Sequence, residues 1–276
     1  MNNKLNQAVV AITGAGSGIG RALALECAAL GAHLAISDVN LEPLNETKAL
    51  VLSKQPNANV LCTPLDVAQP QGITDWSQQV FEHFGCVNVL INNAGVAMSA
   101  SVEGTQKEDF EWLMNINFWG VVNGTRAFLP LLKQAPWGHV VNVSSLFGLL
   151  SLPNQSAYNA SKYAVRGYTE SLRTEMLMEK SRVQVSCVHP GGIKTNIANE
   201  ARYSGQVGSN VNTEKMKALF NDSLARTTAE QASNIIVTGI NKNKARILVG
   251  TDAKLLDLLQ RLLPSLYQKV MAKFSP

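Results

Sequence analysis

The sequence predicts an α/β fold: a doubly wound parallel sheet of about seven strands with helices on both faces, in a single domain. Three observations predict it. Short runs rich in Val, Ile and Leu alternate with segments of helical period along most of the 276 residues. The first of these runs opens directly onto a glycine-rich turn. No linker, internal repeat or shift in composition marks a second domain, and this length fills one core.

The runs Ala8–Thr13, Ala32–Ser37, Asn59–Leu65, Val87–Ile91, His139–Val143, Gln184–His189 and Arg246–Gly250 read as strands. They do not alternate strictly between apolar and polar, as expected of strands covered on both faces. Between them Gly18–Leu30, Leu41–Ser53, Ile73–Phe84, Phe110–Leu132 and Gln155–Lys180 carry helical spacing. Strands and helices in alternation give a parallel sheet. The rhythm breaks at 196–225, which is polar and rich in Gly, Asn and Ser but contains Tyr203, Met216, Leu219 and Phe220. An insertion after a sheet strand lies where ligands bind in open parallel sheets, so this segment is expected to be a substrate lid.

Charged residues are only 16% of the chain against 46% hydrophobic, which implies surface hidden in partner subunits or an apolar site. The formal net charge is +4, and 241–276 alone holds seven basic residues against Asp252 and Asp257. No aromatic-interleaved basic patch accompanies that excess, so no nucleic-acid partner is expected. Nothing approaches the roughly 18 uninterrupted apolar residues of a membrane span. Met1–Gln7 lacks the apolar core of a signal peptide. Cys27, Cys62, Cys86 and Cys187 are scattered, as free thiols in a reducing compartment would be. A cytoplasmic location is the expectation.

Thr13-Gly14-Ala15-Gly16-Ser17-Gly18-Ile19-Gly20 follows the first strand and opens the first helix. Glycines allow a tight turn and close backbone approach, while the helix start aims free N–H groups at an anion, for which a pyrophosphate is the natural occupant. No GK[ST] ending suggests an ATP-type loop. Asp38 lies eighteen residues beyond Gly20, where a carboxylate can accept both ribose hydroxyls of an adenosine and repel a 2′-phosphate. Its neighbours Ser37, Val39 and Asn40 supply no cation. NAD(H) is therefore preferred over NADP(H). Asp66 and Val67 suit the adenine edge and its apolar face, and Asn92-Asn93-Ala94-Gly95 lets the backbone come close to a cofactor.

Tyr158 and Lys162 are one helical turn apart, so both lie on one face. An ammonium beside a phenol favours the phenolate and makes a poised proton donor and acceptor. Ser145 stands thirteen residues before the tyrosine in a segment of small residues. Together with the glycine loop, these residues point to hydride transfer at a carbon bearing oxygen.

With Thr13–Gly20, Asp66, Asn92–Gly95, Asn117, Ser145, Tyr158, Lys162 and Pro190-Gly191 with Thr195, the chain closely resembles the short-chain dehydrogenase/reductases. The resemblance covers about residues 6–195 and extends to the strand near 246–250. It implies a Rossmann-type fold and an NAD(P)-dependent enzyme interconverting an alcohol and a carbonyl. Tyr158 would be the general acid and base, and Lys162 would bind the nicotinamide ribose and lower the tyrosine pKa. Ser145, chosen over Ser144 by its offset from tyrosine, would donate to the substrate oxygen. Asn117, chosen over Asn115 by its Asn-Phe-Trp-Gly setting, would hold a water behind Lys162. Pro190, Gly191 and Gly192 would turn the chain beneath the nicotinamide, with Ile193 and Thr195 near its carboxamide. Cofactor contacts are thus expected from Gly14, Ser17, Gly18, Ile19, Gly20, Asp38, Val39, Asp66, Val67, Asn93, Ala94, Gly95, Tyr158, Lys162, Pro190, Gly191, Ile193 and Thr195.

His33, His83, His139 and His189 are isolated and form no metal motif. The absence of a GxSxG elbow argues against a hydrolase. Leu146–Pro153 and Val96–Met98 are strongly apolar and hold no Arg or Lys, so an apolar alcohol or carbonyl is favoured as substrate. A sugar or polyol dehydrogenase is the alternative, or a fatty acyl-CoA or aldehyde reductase of the same fold. Helices richer in apolar positions than one buried face needs, together with the resemblance, imply a homodimer or homotetramer. The extension 252–276 is amphipathic, basic and interrupted at Pro264, where it should kink or restart. Packing against the protein's own site or another subunit is favoured for it, and peripheral membrane contact is open.

Overall fold

A computed structural model describes residues 3–203 and 226–274 of the chain. Strands β1 (Val9–Thr13), β2 (His33–Asp38), β3 (Val60–Pro64), β4 (Val89–Asn92), β5 (Gly138–Val143), β6 (Val183–Pro190) and β7 (Arg246–Val249) form one parallel sheet. Its order is β3-β2-β1-β4-β5-β6-β7. The chain winds outward from β1 in one direction and then from β4 in the other, the doubly wound single-domain arrangement expected from the sequence.

The strands are buried on both faces because alternate side chains feed two cores. Val10 and Ile12 of β1, Val89 and Ile91 of β4, and Val141 and Val143 of β5 face one of them. Helices α1 (Gly18–Ala29) and α2 (Leu41–Lys54) close this face with Leu23, Cys27, Leu44 and Val51. Val9, Ala11, Leu90 and Val140 face the other, beneath α3 (Pro70–Phe84). There Trp76 meets Phe128 edge-on at 5.0 Å between ring centroids. Adjacent strands are in register, for example Val10 opposite Leu34 and Val89, so a one-residue slip would exchange the two cores wholesale.

The helix expected over Phe110–Leu132 is three pieces: α4 (Lys107–Met114), a π-helical turn at Asn115–Trp119, and α5 (Gly120–Gln134). The widened turn draws Asn117 inward, fully buried, onto the strand-end loop at Val96. The expected helix from Ile73 begins earlier, with Pro70 in its first turn, where a missing N–H costs nothing. Helix α6 (Ser156–Met178) matches expectation to within two residues at each end.

A further helix, α7 (Ala229–Asn241), was not anticipated. Its signal is a capping box: Thr228 Oγ1 accepts the Gln231 N–H, and Gln231 returns the bond to the Thr228 N–H. Ala232, Ile236 and Ile240 of this helix complete the first core. Of the expected lid 196–225, only 196–203 lies within the described residues. There Arg202–Tyr203 pairs with Met98–Ser99. The C-terminal segment forms α8 (Thr251–Leu262) and α9 (Leu266–Phe274), broken around Pro264 as anticipated.

His139, 1% exposed in β5, places Nε2 2.7 Å from Ser186 Oγ, and that hydroxyl donates to the Lys244 carbonyl at 2.6 Å. The serine hydrogen is thus spent, so Nε2 carries the imidazole proton and donates. Burial, with lesser help from the Lys4 and Arg173 charges, holds the His139 pKa down at about 3, against 6.5 for an ordinary histidine. Below about pH 6.5 the unfolded chain therefore binds a proton that the folded one refuses. The stability is fully present above that pH and is lost as the pH falls towards 3. The urea midpoint should drop between about pH 7 and about pH 5, and by less in His139→Gln; equal drops would refute this origin.

Candidate active site

The site lies beyond the carboxyl ends of β1, β4, β5 and β6, where the winding reverses. Thr13 ends β1, and its Oγ1 accepts the N–H groups of Asn93 and Ala94, each at 3.0 Å. Asn93 Nδ2 donates back to the Thr13 and Gly14 carbonyls, also at 3.0 Å. The two strand-end loops are thus stitched together. Gly14, at φ +65°, lies so close to Ala94 that a Cβ there would sit 2.7 Å from the Ala94 Cα. Neither conformation nor space admits another residue.

Helix α1 starts after Ser17, which is extended and gives no side-chain cap, and its first turn holds no acidic residue. Such a helix end presents N–H groups and a positive dipole end to an anion. Ser17, Gly18, Ile19 and Gly20 make up this helix start. Thr195 lies across this loop, its Cγ2 3.2 Å from where a Gly18 Cβ would be.

Asp38 closes β2 with Oδ2 accepting the Gly16 N–H at 2.9 Å and Oδ1 accepting the Asn40 N–H at 3.0 Å. Each carboxylate oxygen keeps a further lone pair for a ligand. Arg21 is the neighbouring cation. It is committed to the Gly16 and Pro43 carbonyls, Thr47 Oγ1 and Glu46. Val39 is exposed, as an apolar face for a base requires, and Asp66 is exposed with Oδ1 accepting the Ala68 N–H. Val67 and Ile193 depart from the simple expectation. Val67 belongs to the second core, against Gly120, and Ile193 to the first. What these two offer a ligand is chiefly backbone.

The four candidate catalytic side chains converge. Tyr158 and Lys162 lie on the buried face of α6, with Lys162 Nζ 5.6 Å from the Tyr158 ring centroid and donating to the Val143 carbonyl at 3.2 Å. Ser145 stands beside Tyr158, where its hydroxyl opposes the effect of burial on the phenol. Its Oγ also accepts the Phe147 N–H at 3.1 Å. Ser144 is turned away, donating to the Lys162 carbonyl at 2.8 Å, which separates the two adjacent serines by role. Asn117 Oδ1 accepts the Val96 N–H at 2.8 Å, and Nδ2 donates to the Val96 carbonyl at 2.9 Å. Asn115 is exposed. Gly95 sits between Asn117 and Lys162, where a Cβ would come within 3.2 Å of Asn117 Oδ1 and 3.4 Å of Lys162 Nζ.

The electrostatics of this pair differ from the sequence expectation. Burial raises the Tyr158 pKa above 10.0, opposed by the Ser145 hydrogen bond, and burial lowers that of Lys162 to about 8. A lysine charge pulling the phenol down does not govern here. Nζ lies by the ring and a carbonyl, and both groups are desolvated, which disfavours their charged forms. At neutral pH the protein holds the proton on the phenol.

Sequence reasoning missed the support beneath these residues. His189 ends β6 fully buried, donating through Nδ1 to the Ser145 carbonyl at 3.0 Å. Asn92 Nδ2 donates to Asn142 Oδ1 at 2.8 Å, and Asn142 Nδ2 to Thr169 Oγ1 at 3.0 Å, tying β4 and β5 to α6. Arg202 stacks over Trp112 at 3.8 Å and bridges to Asp109 at 2.7 Å, pinning the strap that crosses Met98–Ser99. A histidine on a strand or an asparagine in an apolar run gives no partner away until the topology is known.

Comparison with known proteins follows this geometry. The short chain dehydrogenase family model matches residues 8–205. The chain belongs to the short-chain dehydrogenase/reductase family. SadH of Mycobacterium tuberculosis is 45% identical over 272 residues, covering 97% of this chain and 96% of that one. The mouse dehydrogenase/reductase SDR family member 7B is 33% identical, covering 97% of this chain and 81% of the relative. A short-chain dehydrogenase/reductase from Burkholderia phymatum, solved in complex with NAD, superposes with a TM-score of 0.86 at 28% identity, covering 96% of each chain. Levodione reductase superposes at 0.79 with 29% identity, over 91% of this chain and 98% of the other. The protein is therefore an oxidoreductase of this family with its Rossmann-like fold.

Proposed function

We propose that this oxidoreductase interconverts an apolar alcohol and its carbonyl using NAD(H). The convergence of Ser145, Tyr158 and Lys162 at the open end of the sheet carries the reading. The uncapped start of α1 and the close-packed Gly14 suit a pyrophosphate, and Asp38 suits two ribose hydroxyls. The Burkholderia neighbour's complex with NAD supports the same cofactor class. A bound nicotinamide supplies or accepts the hydride.

The chain's own residues do the rest. Tyr158, which holds its proton at neutral pH, gives it to the carbonyl oxygen in reduction and takes it back in oxidation. Ser145 donates to the same oxygen as charge develops on it. Lys162 would hold the nicotinamide ribose, and Asn117 would keep a water behind it. Pro190 and Gly191 would turn the chain beneath the nicotinamide, with Thr195 near its carboxamide. Tyr158→Phe should lower kcat by at least about a hundredfold while leaving NADH binding nearly unchanged, because only the transferable proton is lost. Near-normal turnover in an absorbance assay would defeat the mechanism.

Cofactor choice rests on Asp38. A carboxylate that holds the loop at Gly16 leaves no room or charge for a 2′-phosphate, and Arg21 is engaged elsewhere. Asp38→Ala should reduce the NAD(H) over NADP(H) efficiency ratio by about tenfold or more; an unchanged ratio rejects the ribose role.

The substrate reading follows from the wall around Tyr158: Val96, Ala97, Met98, Phe110, Leu113 and Phe147. The Phe147 ring stands edge-on to Tyr158 at 6.0 Å. These six side chains, among the described residues, offer a sugar no hydrogen bonds. Free cysteines fit a reducing, cytoplasmic setting. Partly exposed aromatic residues at the junction of α5 and α6, including Trp119 at 49%, suit a homodimer or homotetramer.

The outer face of α8 adds a peripheral membrane contact. Leu255, Leu258 and Leu262 are 66%, 54% and 69% exposed and lie along one side of the helix. Asp252 and Asp257 are bonded inward, to the Gly192 N–H and to Arg246 and Arg261, leaving Lys254 and Lys269 outside. Leucines edged by unneutralised lysines suit anionic lipid. Flotation with phosphatidylglycerol vesicles should retain the wild type and release a Leu255→Ser, Leu258→Ser, Leu262→Ser variant. Equal flotation of the two, or a change only in oligomer size, would reject it.

A further inference from the structure

The C-terminal helices reach both walls of the cleft. Asp252, in the first turn of α8, accepts the Gly192 N–H through Oδ2 at 2.7 Å. It fills the space beside Gly191 so closely that a Cβ there would collide with the carboxylate. Further ties on this turn are backbone: the Gly191 N–H donates to the Val249 carbonyl at 2.9 Å, and the Gly192 carbonyl accepts the Thr227 N–H at 3.3 Å. Some fifteen residues later, Tyr267 of α9 is 4% exposed and accepts the Ser151 N–H through its phenol oxygen at 3.2 Å. Its ring packs with Leu146, Leu149 and Leu150, the stretch that begins one residue after Ser145.

We propose that Asp252 and Tyr267 are positioning residues that set the two halves of the site separately: Asp252 the turn beneath the cofactor, Tyr267 the loop that meets the substrate. The proposal rests on the cofactor and substrate reading above. Neither side chain touches the reacting centre. Asp252 makes a charge-assisted bond from a helix start, which adds a strong tie to a turn that two successive glycines leave conformationally permissive. Tyr267 joins one polar bond to a packed ring, which fixes both the height and the tilt of an apolar loop. Because the two contacts lie on different walls and share no partner, their effects should separate.

The full chain can test this by NADH fluorescence titration and by kinetics on apolar carbonyls of graded length. Asp252→Ala should weaken NADH binding about tenfold and leave the chain-length profile intact, while Asp252→Asn, which keeps an acceptor oxygen, recovers most of the affinity. Tyr267→Phe should leave NADH affinity unchanged, raise the substrate KM roughly fivefold and shift the preferred chain length. Unfolding midpoints of both variants should stay near wild type. NADH affinity unchanged in Asp252→Ala, or cofactor and substrate constants moving together in Tyr267→Phe, would overturn the proposal while leaving the enzyme reading intact. A wild type that binds no NADH would bring down both.

Discussion

One threonine hydroxyl holds the ends of β1 and β4 together, and the site is built outward from that junction. In a doubly wound sheet the connections after these two strands leave towards opposite faces, which opens a crevice between them. A crevice without a tie would leave the Asn93 and Ala94 N–H groups unpaired at a sheet end. Thr13 satisfies both with Oγ1, and Asn93 returns two bonds to the first loop. Threonine suits the place because it is a β-branched strand former that carries an acceptor. The Gly14 turn, the start of α1 and the backbone that passes Asn117 and Lys162 all take their positions from this link.

The chemistry depends on a second feature, the removal of water from two groups that would each be charged or chargeable outside. Tyr158 and Lys162 are 9% and 4% exposed. Desolvation acts oppositely on an acid that becomes an anion and a base that is a cation, so it raises one pKa and lowers the other. The result is a protonated phenol beside a lysine near the limit of its charged range, the state that the proposed proton transfer to a carbonyl requires. Such a pair must be held rigidly, since a buried amine left without acceptors is costly. The Val143 carbonyl, the Asn92–Asn142–Thr169 ladder and the Ser144 bond to α6 provide the fixed surroundings.

Much of this was legible in the sequence because it depends on local pattern. Apolar runs with intervening helical periods define the sheet, and the glycine loop must follow the first strand for the turn to close. The four-residue spacing of Tyr158 and Lys162 places them on one helix face wherever that helix goes. What escaped depends on distant partners. The π-helical turn at Asn115–Trp119 exists because Asn117 bonds a loop twenty-one residues away. Core packing claims the side chains of Val67 and Ile193, which neither their positions nor the resemblance could show. The direction of the Tyr158 shift was missed for the same reason: charge proximity is visible in a sequence, whereas burial is not. Helix α7 is a different lesson, since its Thr228 and Gln231 capping signal is local and stands in the sequence itself.

The C-terminal segment shows why an amphipathic pattern alone cannot tell where a helix faces. Leu255, Leu256, Leu258, Leu259 and Leu262 span far more than the roughly 100° stripe that one buried face requires. In the structure the arc divides. Leu256 and Leu259 pack with Tyr267 on the loop after Ser145, while Leu255, Leu258 and Leu262 look outward. The polar residues obey the same division: Asp252 and Asp257 turn inward to partners, and Lys254 and Lys269 remain outside. A segment that read as one basic, leucine-rich stretch is thus a brace whose inner half reaches the loop after Ser145. The excess of basic charge belongs to its outer half because every carboxylate in its first helix is engaged within the protein.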